Sequence, residues 1–555
     1  MLLDLDDEVA QDPGHTGGKA AWLARGRRAG LAVLPGFVVP AEASRDAMRR
    51  GTEAMGRRGP GGALLTVSSV AMDVDLESAI MDAARALGDP LVVRSSSVLE
   101  AGGEWAGAFT SYLDIHPEEA PKAIRGCWAS AFTVHTLDRY AAADLAPGSI
   151  PMAVLIQPAL APDFGGVARL VDGEVTVTGV AGSPAPLVQG WDPGAHGRVS
   201  ASGIVTGESA IDLMGPDLIG AVSAALRTAY ELIGANSCEW AAVDGEVTLL
   251  QLMQVEERPS LVVEIPAAFE DPAMIDLARL VRRFPGPLGE ELVLPWAVAA
   301  PGYFLAPVEP LDLDPLEALL EAIEQSRALV SSAWRTTKAK GSDRASSLVR
   351  GLRGDETERA LSAFAGLRVP DLDQSQAVLR LLETACRGLV AAGAVADPQL
   401  AWHLRLVEAI AILREGRAPV LKSRIGFDRW EPFDAAAVIA HGELGVGVAA
   451  APGTAVGRMC FVSDPHDVPH FRPRDVVVGT HPLPNLAALL WDASAVITTG
   501  GGPAAHLFES ARALGIPAVT GLDLEALLGG DPAQKSGQVS LAVDGVGGRA
   551  WATAW

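Results

Sequence analysis

Apolar and polar positions alternate with different periods along the chain, and the periods divide it. Toward the C-terminus, Ala495 to Thr499 is a short apolar and β-branched run, followed by Gly500-Gly501-Gly502, a helical stretch that Gly515 and Pro517 stop, and Ala518-Val519. The unit reads as strand, glycine turn, helix and strand. Pro503, with the fixed φ favoured in a first helical turn, places the helix start there. Strand-like runs at Gly457 to Val462 and Asp475 to Gly479 precede it. In the middle of the chain the period is helical. Asp314-Pro315-Leu316-Glu317 is a start signal with Leu316, Leu319, Leu320 and Ile323 on one face. Val378, Leu381, Leu382, Ala385 and Leu389 repeat the spacing before Gly393, as do Leu400, Leu404, Val407 and Ala411 before Gly416, so a small helical domain is expected. Nearer the N-terminus, Gly17-Gly18-Lys19 reads as a helix start, and Leu91-Val92-Val93 as a strand ending at Arg94 beside Ser95-Ser96-Ser97. Cys238 to Gln251 reads as a hairpin turning at Asp244-Gly245, which brings Glu239 near Gln251.

Two stretches separate these regions. Pro259 to Pro310 is rich in proline and apolar residues and reads as a boundary. Phe427 to Ala455, with Gly442 to Gly457 dense in Gly, Ala and Val, reads as a hinge between rigid bodies. The 555 residues exceed a single core, and the expected division is 1–261, 262–440 and 441–555. A net charge of −24 argues against general binding to nucleic acid or anionic membrane. Cys127, Cys238, Cys386 and Cys460 form no C-x-x-C pair, which indicates reduced thiols rather than a disulfide framework or a zinc cluster. The N-terminus is acidic and no uninterrupted apolar run is long enough to span a bilayer, so a cytoplasmic protein is expected.

Candidate chemistry concentrates at His506. In the first turn of a helix, outward N–H groups and the dipole favour an anion such as phosphate and disfavour imidazolium. A neutral imidazole nitrogen is the nucleophile that phosphoryl transfer needs. The plainer alternative is a surface histidine on an ordinary strand-turn-helix unit. Gly500 to Ala505 also fits G-x-G-x-x-A with Asp523 beyond, a dinucleotide fingerprint, but few residues follow to build that fold. Lys19 behind two glycines offers an ammonium and backbone amides to phosphates, and Arg94 beside three hydroxyls offers a fork of donors. Glu239 and Gln251 offer hard oxygen ligands suited to magnesium. Each has a bland counterpart: a solvated lysine, an edge arginine, a polar pair on a sheet face.

The C-terminal motif resembles the phosphohistidine domain of the PEP-utilising dikinase family, which includes phosphoenolpyruvate synthase, pyruvate phosphate dikinase and rifampin phosphotransferase. The resemblance rests on Gly501-Gly502, His506, Ala511-Arg512 and Gly515-Ile516-Pro517-Ala518-Val519, with departures at Ala504-Ala505 and Leu507-Phe508. The three N-terminal landmarks, in order, resemble the ATP-grasp nucleotide-binding domain of the same family. By position the resemblance implies that Lys19 and Arg94 contact nucleotide phosphates, that Ser111 stands where the family has threonine, and that Gln157 ends the strand Ala153 to Ile156 near the base. It further implies that Glu239 and Gln251 hold the metal. Met253 stands in the place of a phosphate-binding arginine, and Ala185 in that of a glutamate.

The implied fold class is α+β and multidomain: an ATP-grasp nucleotide-binding domain, a helical acceptor domain and a swivelling β/β/α phosphohistidine domain. The implied activity is a phosphotransferase that uses ATP and Mg2+, cleaves ATP to AMP and phosphate, and passes a phosphoryl group through His506 to a small-molecule acceptor. The pyruvate-binding barrel that follows the histidine domain in the synthases is not expected here, which makes rifampin phosphotransferase the nearer likeness. Two alternatives remain: a nucleotide-binding partner that has lost catalysis, and the ATP and histidine half of a split synthase. The basic cluster Arg335 to Arg353 suits either an anionic acceptor or a solvated face. Trp296, Trp334, Trp402 and Trp430 suit either an apolar acceptor pocket or cores.

Overall fold

Five short apolar runs from the first part of the chain pair into an antiparallel sheet in the order Leu3–Asp4, Phe37–Val39, Met152–Pro158, Leu91–Ser97, Ser111–Ile115. The computed structural model describes residues 2–255, 273–284, 286–298, 301–304, 306–333, 371–395, 398–415, 431–463 and 471–553. The strand Met152–Pro158 is apolar at nearly every position because helices cover both faces. Ala153 and Leu155 point to the core that holds Trp22 and Leu23, while Met152, Val154 and Ile156 point to the core that holds Trp128 and Phe132. Arg94 lies within the strand Leu91–Ser97 rather than at its end, since Ser95, Ser96 and Ser97 continue the ladder against Val154, Ala153 and Met152. Backbone recruits two of the three hydroxyls: Ala20 N–H donates to Ser96 Oγ at 3.0 Å, and Leu99 N–H to Ser97 Oγ at 3.3 Å.

A second antiparallel sheet runs Glu246–Met253, Ser237–Val243, Phe164–Val171, Glu174–Ala181, Ala195–Val199, Val205–Thr206. Asp244 and Gly245 both take positive φ, 50° and 82°, the backbone of the expected hairpin turn. The helix Glu208–Ile233 packs over this sheet through Ala210, Ile219, Val222, Leu226 and Ala229. Among the described residues it alone is long and apolar enough, by length and composition, to cross a membrane, although Asp212, Asp217 and Arg227 interrupt its apolar run. Gly215, at φ 76°, breaks it one residue before Pro216.

Helices Ala273–Arg283, Pro315–Ala333, Leu372–Ala391 and Leu406–Glu415 surround one apolar core. Val378, Leu381, Leu382, Ala385 and Leu389 are buried as their period requires. Three positions depart from expectation: Leu320 is 41% exposed, Val407 is 71% exposed and Ala411 is exposed as well. The cause at Val407 is a break in phase. Pro398–His403 forms a 3-10 turn, and the helix Leu406–Glu415 that follows buries Ala409 and Ile412 instead. Trp296 and Trp402 are core residues packed edge-on against Phe304 and Phe284, not the lining of a pocket. Trp334, Trp430 and the cluster Arg335 to Arg353 lie outside the described residues.

The C-terminal sheet has eight strands in the order Glu443–Val446, Arg549–Thr553, Ser540–Asp544, Thr454–Phe461, Val476–Gly479, Ala495–Thr498, Ala518–Thr520, Val448–Ala451. Its inner strands, from Thr454–Phe461 to Ala518–Thr520, are parallel. The Gly442 to Gly457 stretch, expected as a hinge, is therefore mostly strand. Its glycines serve close approach: a Cβ on Gly447 would stand 2.5 Å from the Thr520 carbonyl oxygen. The helix Glu431–His441 joins two cores. Ala435 and Val438 pack on Val456 and Ala542 of this sheet, while Ala436 and Ala437 enter the helical core.

The C-terminal unit is seated on the N-terminal sheets by a buried clamp. Arg139, fully buried on the helix Val134–Ala142, donates from Nη1 to the Ala106 carbonyl at 2.9 Å and from Nη2 to the Pro484 carbonyl at 2.7 Å. Burial pulls its guanidinium down to about 10, with Glu100 opposing, so it stays charged at neutral pH. Trp105 stacks edge-on with Trp491 at 5.9 Å beside it. In Arg139→Met both carbonyls lose their donor, at a cost of about 1–3 kcal/mol each. The expected outcome is a weaker seat: a larger radius of gyration by X-ray scattering at unchanged helix content. Unchanged scattering would count against the clamp.

Candidate active site

One cavity of about 780 Å³ lies between the two N-terminal sheets and the C-terminal unit. Lys19, Arg94, Ser111, Gln157, Glu239, Gln251 and His506, the residues singled out in the sequence, all line it. Leu34, Val92, Leu160, Leu250 and Met253 supply apolar wall beside these polar groups, the mixture that binding sites for small organic ions share.

Lys19 reaches the cavity because its helix is broken. Gly17, at φ 73°, interrupts Pro13–Arg28, and a Cβ there would stand 2.0 Å from the Ser96 carbonyl oxygen. The helix therefore restarts hard against the strand Leu91–Ser97. Lys19 Nζ meets Glu100 Oε1 at 2.6 Å, with both side chains largely buried. Glu100 is itself fixed: its Oε2 accepts from Ser97 N–H at 3.0 Å in a reciprocal cap. Arg94 donates from Nη1 to the Leu250 carbonyl and from Nη2 to Gln251 Oε1 at 2.8 Å, with Glu239 Oε2 at 3.4 Å. Both cations are thus held by internal acceptors, so their positions are set before any ligand arrives.

Glu239 and Gln251 are direct cross-strand partners, and the register slips just after Glu239. Among the described residues no group of three or more His, Cys, Asp or Glu side chains could hold a metal. A cation here would therefore take Glu239 and Gln251 and complete its shell with ligand oxygens and water, which fits magnesium better than a metal needing a full protein cage. Gln157 is buried and donates from Nε2 to the Leu34 carbonyl at 3.1 Å. Ser111 opens the strand Ser111–Ile115 opposite Arg94. Met253 and Ala185, the two departures from the family pattern, line the same cavity.

His506 enters from the C-terminal unit. The helix begins at His506 itself, with Ala505 as its extended N-cap; Pro503 lies ahead of it and offers its carbonyl to Arg512 Nη1 at 3.1 Å. The preceding turn is tied down by buried hydroxyls. Thr498 Oγ1 and Thr520 Oγ1 donate to the Gly500 carbonyl at 2.9 and 3.0 Å. The turn presses on the N-terminal unit: a Cβ on Gly502 would stand 2.4 Å from the Pro193 carbonyl oxygen, and one on Gly501 2.8 Å from the Gly190 carbonyl oxygen. The imidazole packs on Gly107, where a Cβ would come within 3.0 Å of Cδ2. Ala504 joins Val167, Val180, Leu187 and Val188 in an apolar contact, and Ala505, Leu507 and Phe508 fill the C-terminal core. The substitutions around the histidine are therefore packing choices in this chain.

Four residues that contribute to the site carried no assignment in the sequence. Glu100 was legible in Ser97-x-x-Glu100, a capping pattern. Gly107 gave no sign of its neighbour across the interface. His135 lines the cavity with Nε2 3.0 Å from the Ala108 carbonyl oxygen. Glu509 stands one helical turn from His506, with Oε2 3.3 Å from Nδ1. Burial pushes the Glu509 carboxyl up, but the His506 hydrogen bond and the charges of His506, Arg512 and Arg169 outweigh this and hold it below the usual range.

Residues 14–194 match the pyruvate phosphate dikinase AMP/ATP-binding domain, and residues 471–548 match the mobile domain of PEP-utilising enzymes. Prodigiosin synthesizing transferase PigC of Serratia marcescens is 28% identical over 319 residues, covering 56% of this chain and 33% of that protein. An uncharacterized phosphotransferase YvkC of Bacillus subtilis is 40% identical over 75 residues, covering 14% of this chain and 9% of that protein. A probable phosphoenolpyruvate synthase of Pyrococcus horikoshii is 37% identical over 75 residues, with the same coverage. The matched stretches span a third or less of these relatives' own lengths. The chain is thus similar, in two separate domains that meet where His506 borders the cavity, to enzymes of the PEP-utilising dikinase family.

Proposed function

We propose that the protein is an ATP-dependent phosphotransferase of dikinase type, in which residues 1–261 form an ATP-grasp-like nucleotide domain, 262–440 an acceptor domain and 441–555 a swivelling carrier. The observation that carries this reading is His506 lining the same cavity as Lys19, Arg94 and Gln251. Lys19 and Arg94 would bind phosphate oxygens, Ser111 would add a hydroxyl near them, and Gln157 would face the base beside the apolar wall. Glu239 and Gln251 would hold Mg2+, which when bound screens charge on the phosphates. A ring nitrogen of His506 would supply the attacking lone pair. Imidazole attack on the β-phosphorus breaks the P–O bond to AMP, whose oxygen leaves with the electron pair, and the γ-phosphate leaves to water. The carrier then delivers the phosphoryl group to a hydroxyl or amine of a small metabolite or antibiotic-like acceptor. A small-molecule acceptor is supported by the relatives named as a synthesizing transferase and a phosphotransferase. Four free, buried cysteines support a cytoplasmic setting.

A second reading has a specific observation behind it. Met253 and Ala185 line the cavity where the family pattern has an arginine and a glutamate. A missing charged donor costs about 2–4 kcal/mol of transition-state stabilisation. A nucleotide-binding partner without catalysis would bind ATP tightly and release no AMP.

Incubation with β-labelled ATP and magnesium separates the two. Acid-labile label mapping to His506 in the wild type, and absent in His506→Ala, is expected; equal label on both discards the carrier step. Gly107→Ala places a methyl against the ring at a positive φ of 65°. It should slow labelling roughly 100-fold and leave ATP affinity within about threefold, measured by calorimetry, because the glycine abuts the carrier rather than Lys19 or Arg94.

A further inference from the structure

Resting on the phosphotransfer reading above, we propose that Glu509 is a positioning residue: its carboxylate accepts the Nδ1 proton of His506 and so presents Nε2 as the nucleophile. The geometry carries the assignment. The Cδ2 edge of the ring lies against Gly107, which turns the opposite edge, and Nδ1 with it, toward Glu509. Glu509 sits three residues on, where a helix stacks side chains, and the ring has no other hydrogen-bond partner among the described residues. The flanking positions cannot substitute, because Ala504 and Ala505 carry no hydroxyl.

The surroundings make the contact count. Glu509 is only 8% exposed, and Gly103 of the N-terminal unit lies over it, 3.7 Å from Glu509 Cγ by a Cβ built on that glycine. In this seated arrangement the pair is shielded from water, where a hydrogen bond to a charged acceptor is strongest. Arg512, one turn further along the helix, and Arg169, on the strand Phe164–Val171 of the N-terminal unit, add positive charge around the carboxylate. It therefore stays ionised and acts as an acceptor only. As Nε2 bonds to phosphorus and the P–O bond to the leaving nucleotide breaks, the Nδ1 proton stays in place. The ring becomes cationic beside the carboxylate, and the electron pair departs on the leaving oxygen.

The test reads the tautomer directly in the nucleotide-free full chain, uniformly 15N-labelled at histidine, by two-bond 1H–15N correlation with His506→Ala identifying the resonance. The wild type should show protonated Nδ1 and pyridine-like Nε2. Glu509→Leu should shift His506 to the Nε2–H form and slow labelling by β-labelled ATP roughly 10- to 100-fold with KM for ATP unchanged. Glu509→Gln, whose carboxamide oxygen still accepts, should recover most of both. The phosphorylated wild type should carry phosphorus on Nε2. An Nε2–H wild type, an Nδ1-linked product, or a Glu509→Leu protein that keeps the Nδ1–H form overturns the proposal. Should Glu509→Leu fail to fold, the wild-type tautomer and product linkage still decide. The expected tautomer with no label on the wild type upholds the positioning role and discards phosphotransfer.

Discussion

Everything at this site depends on backbone meeting backbone across the seat of the C-terminal unit. Gly501 and Gly502 approach the Gly190 and Pro193 carbonyls at distances that leave no room for a Cβ, and Gly107 lies tight against the imidazole. Dispersion and close packing act over a few tenths of an ångström, so a single methyl in this contact would hold the ring away from the cavity. The Arg139 clamp and the Trp105–Trp491 contact then fix the seat laterally. The cavity is a consequence of that fit: the His506 ring shares a wall with Lys19 and Arg94 where the two units close on glycine.

Electrostatics within the cavity follow one pattern. Three of the groups that meet there already have internal partners: Lys19 has Glu100, Arg94 has Gln251 and Glu239, and His506 has Glu509. Buried charges are tolerable only when paired, and pairing also fixes side-chain geometry in advance. A polyanionic ligand entering such a site meets donors that need little reorganisation, which is the condition under which electrostatic stabilisation is most effective. The six cavity groups from the N-terminal unit come from six separate elements, which explains why they are scattered over more than two hundred positions of sequence.

Much of this was legible in the chain itself. Period-two and period-3.6 patterns located the hairpin at Asp244-Gly245 and the helix with Val378 to Leu389, because local turn chemistry and one buried face decide those elements. Seven candidate residues converge on one cavity because each sits at an element boundary or on a paired strand that its local motif defines. What stayed hidden depends on contacts distant in sequence. Arg94 is mid-strand since Ser96 is claimed by the backbone of Ala20, far upstream. Val407 is exposed because a 3-10 turn resets the helical phase. Gly442 to Gly457 is strand because its small residues meet the Ala518–Thr520 segment closely, which composition alone cannot distinguish from a linker. Gly107 and Arg139 matter only through a surface that belongs to the other unit.

The strands Glu443–Val446 and Val448–Ala451 stand at opposite ends of the eight-stranded order, yet only Gly447 separates them in the chain. One short kinked segment therefore borders both flanks of the sheet and pairs with Arg549–Thr553 on one side and Ala518–Thr520 on the other. Unpaired ladder edges are templates for self-association. Both ends of this sheet are strands of only four residues, so each open edge offers another copy a ladder too short to pair with readily.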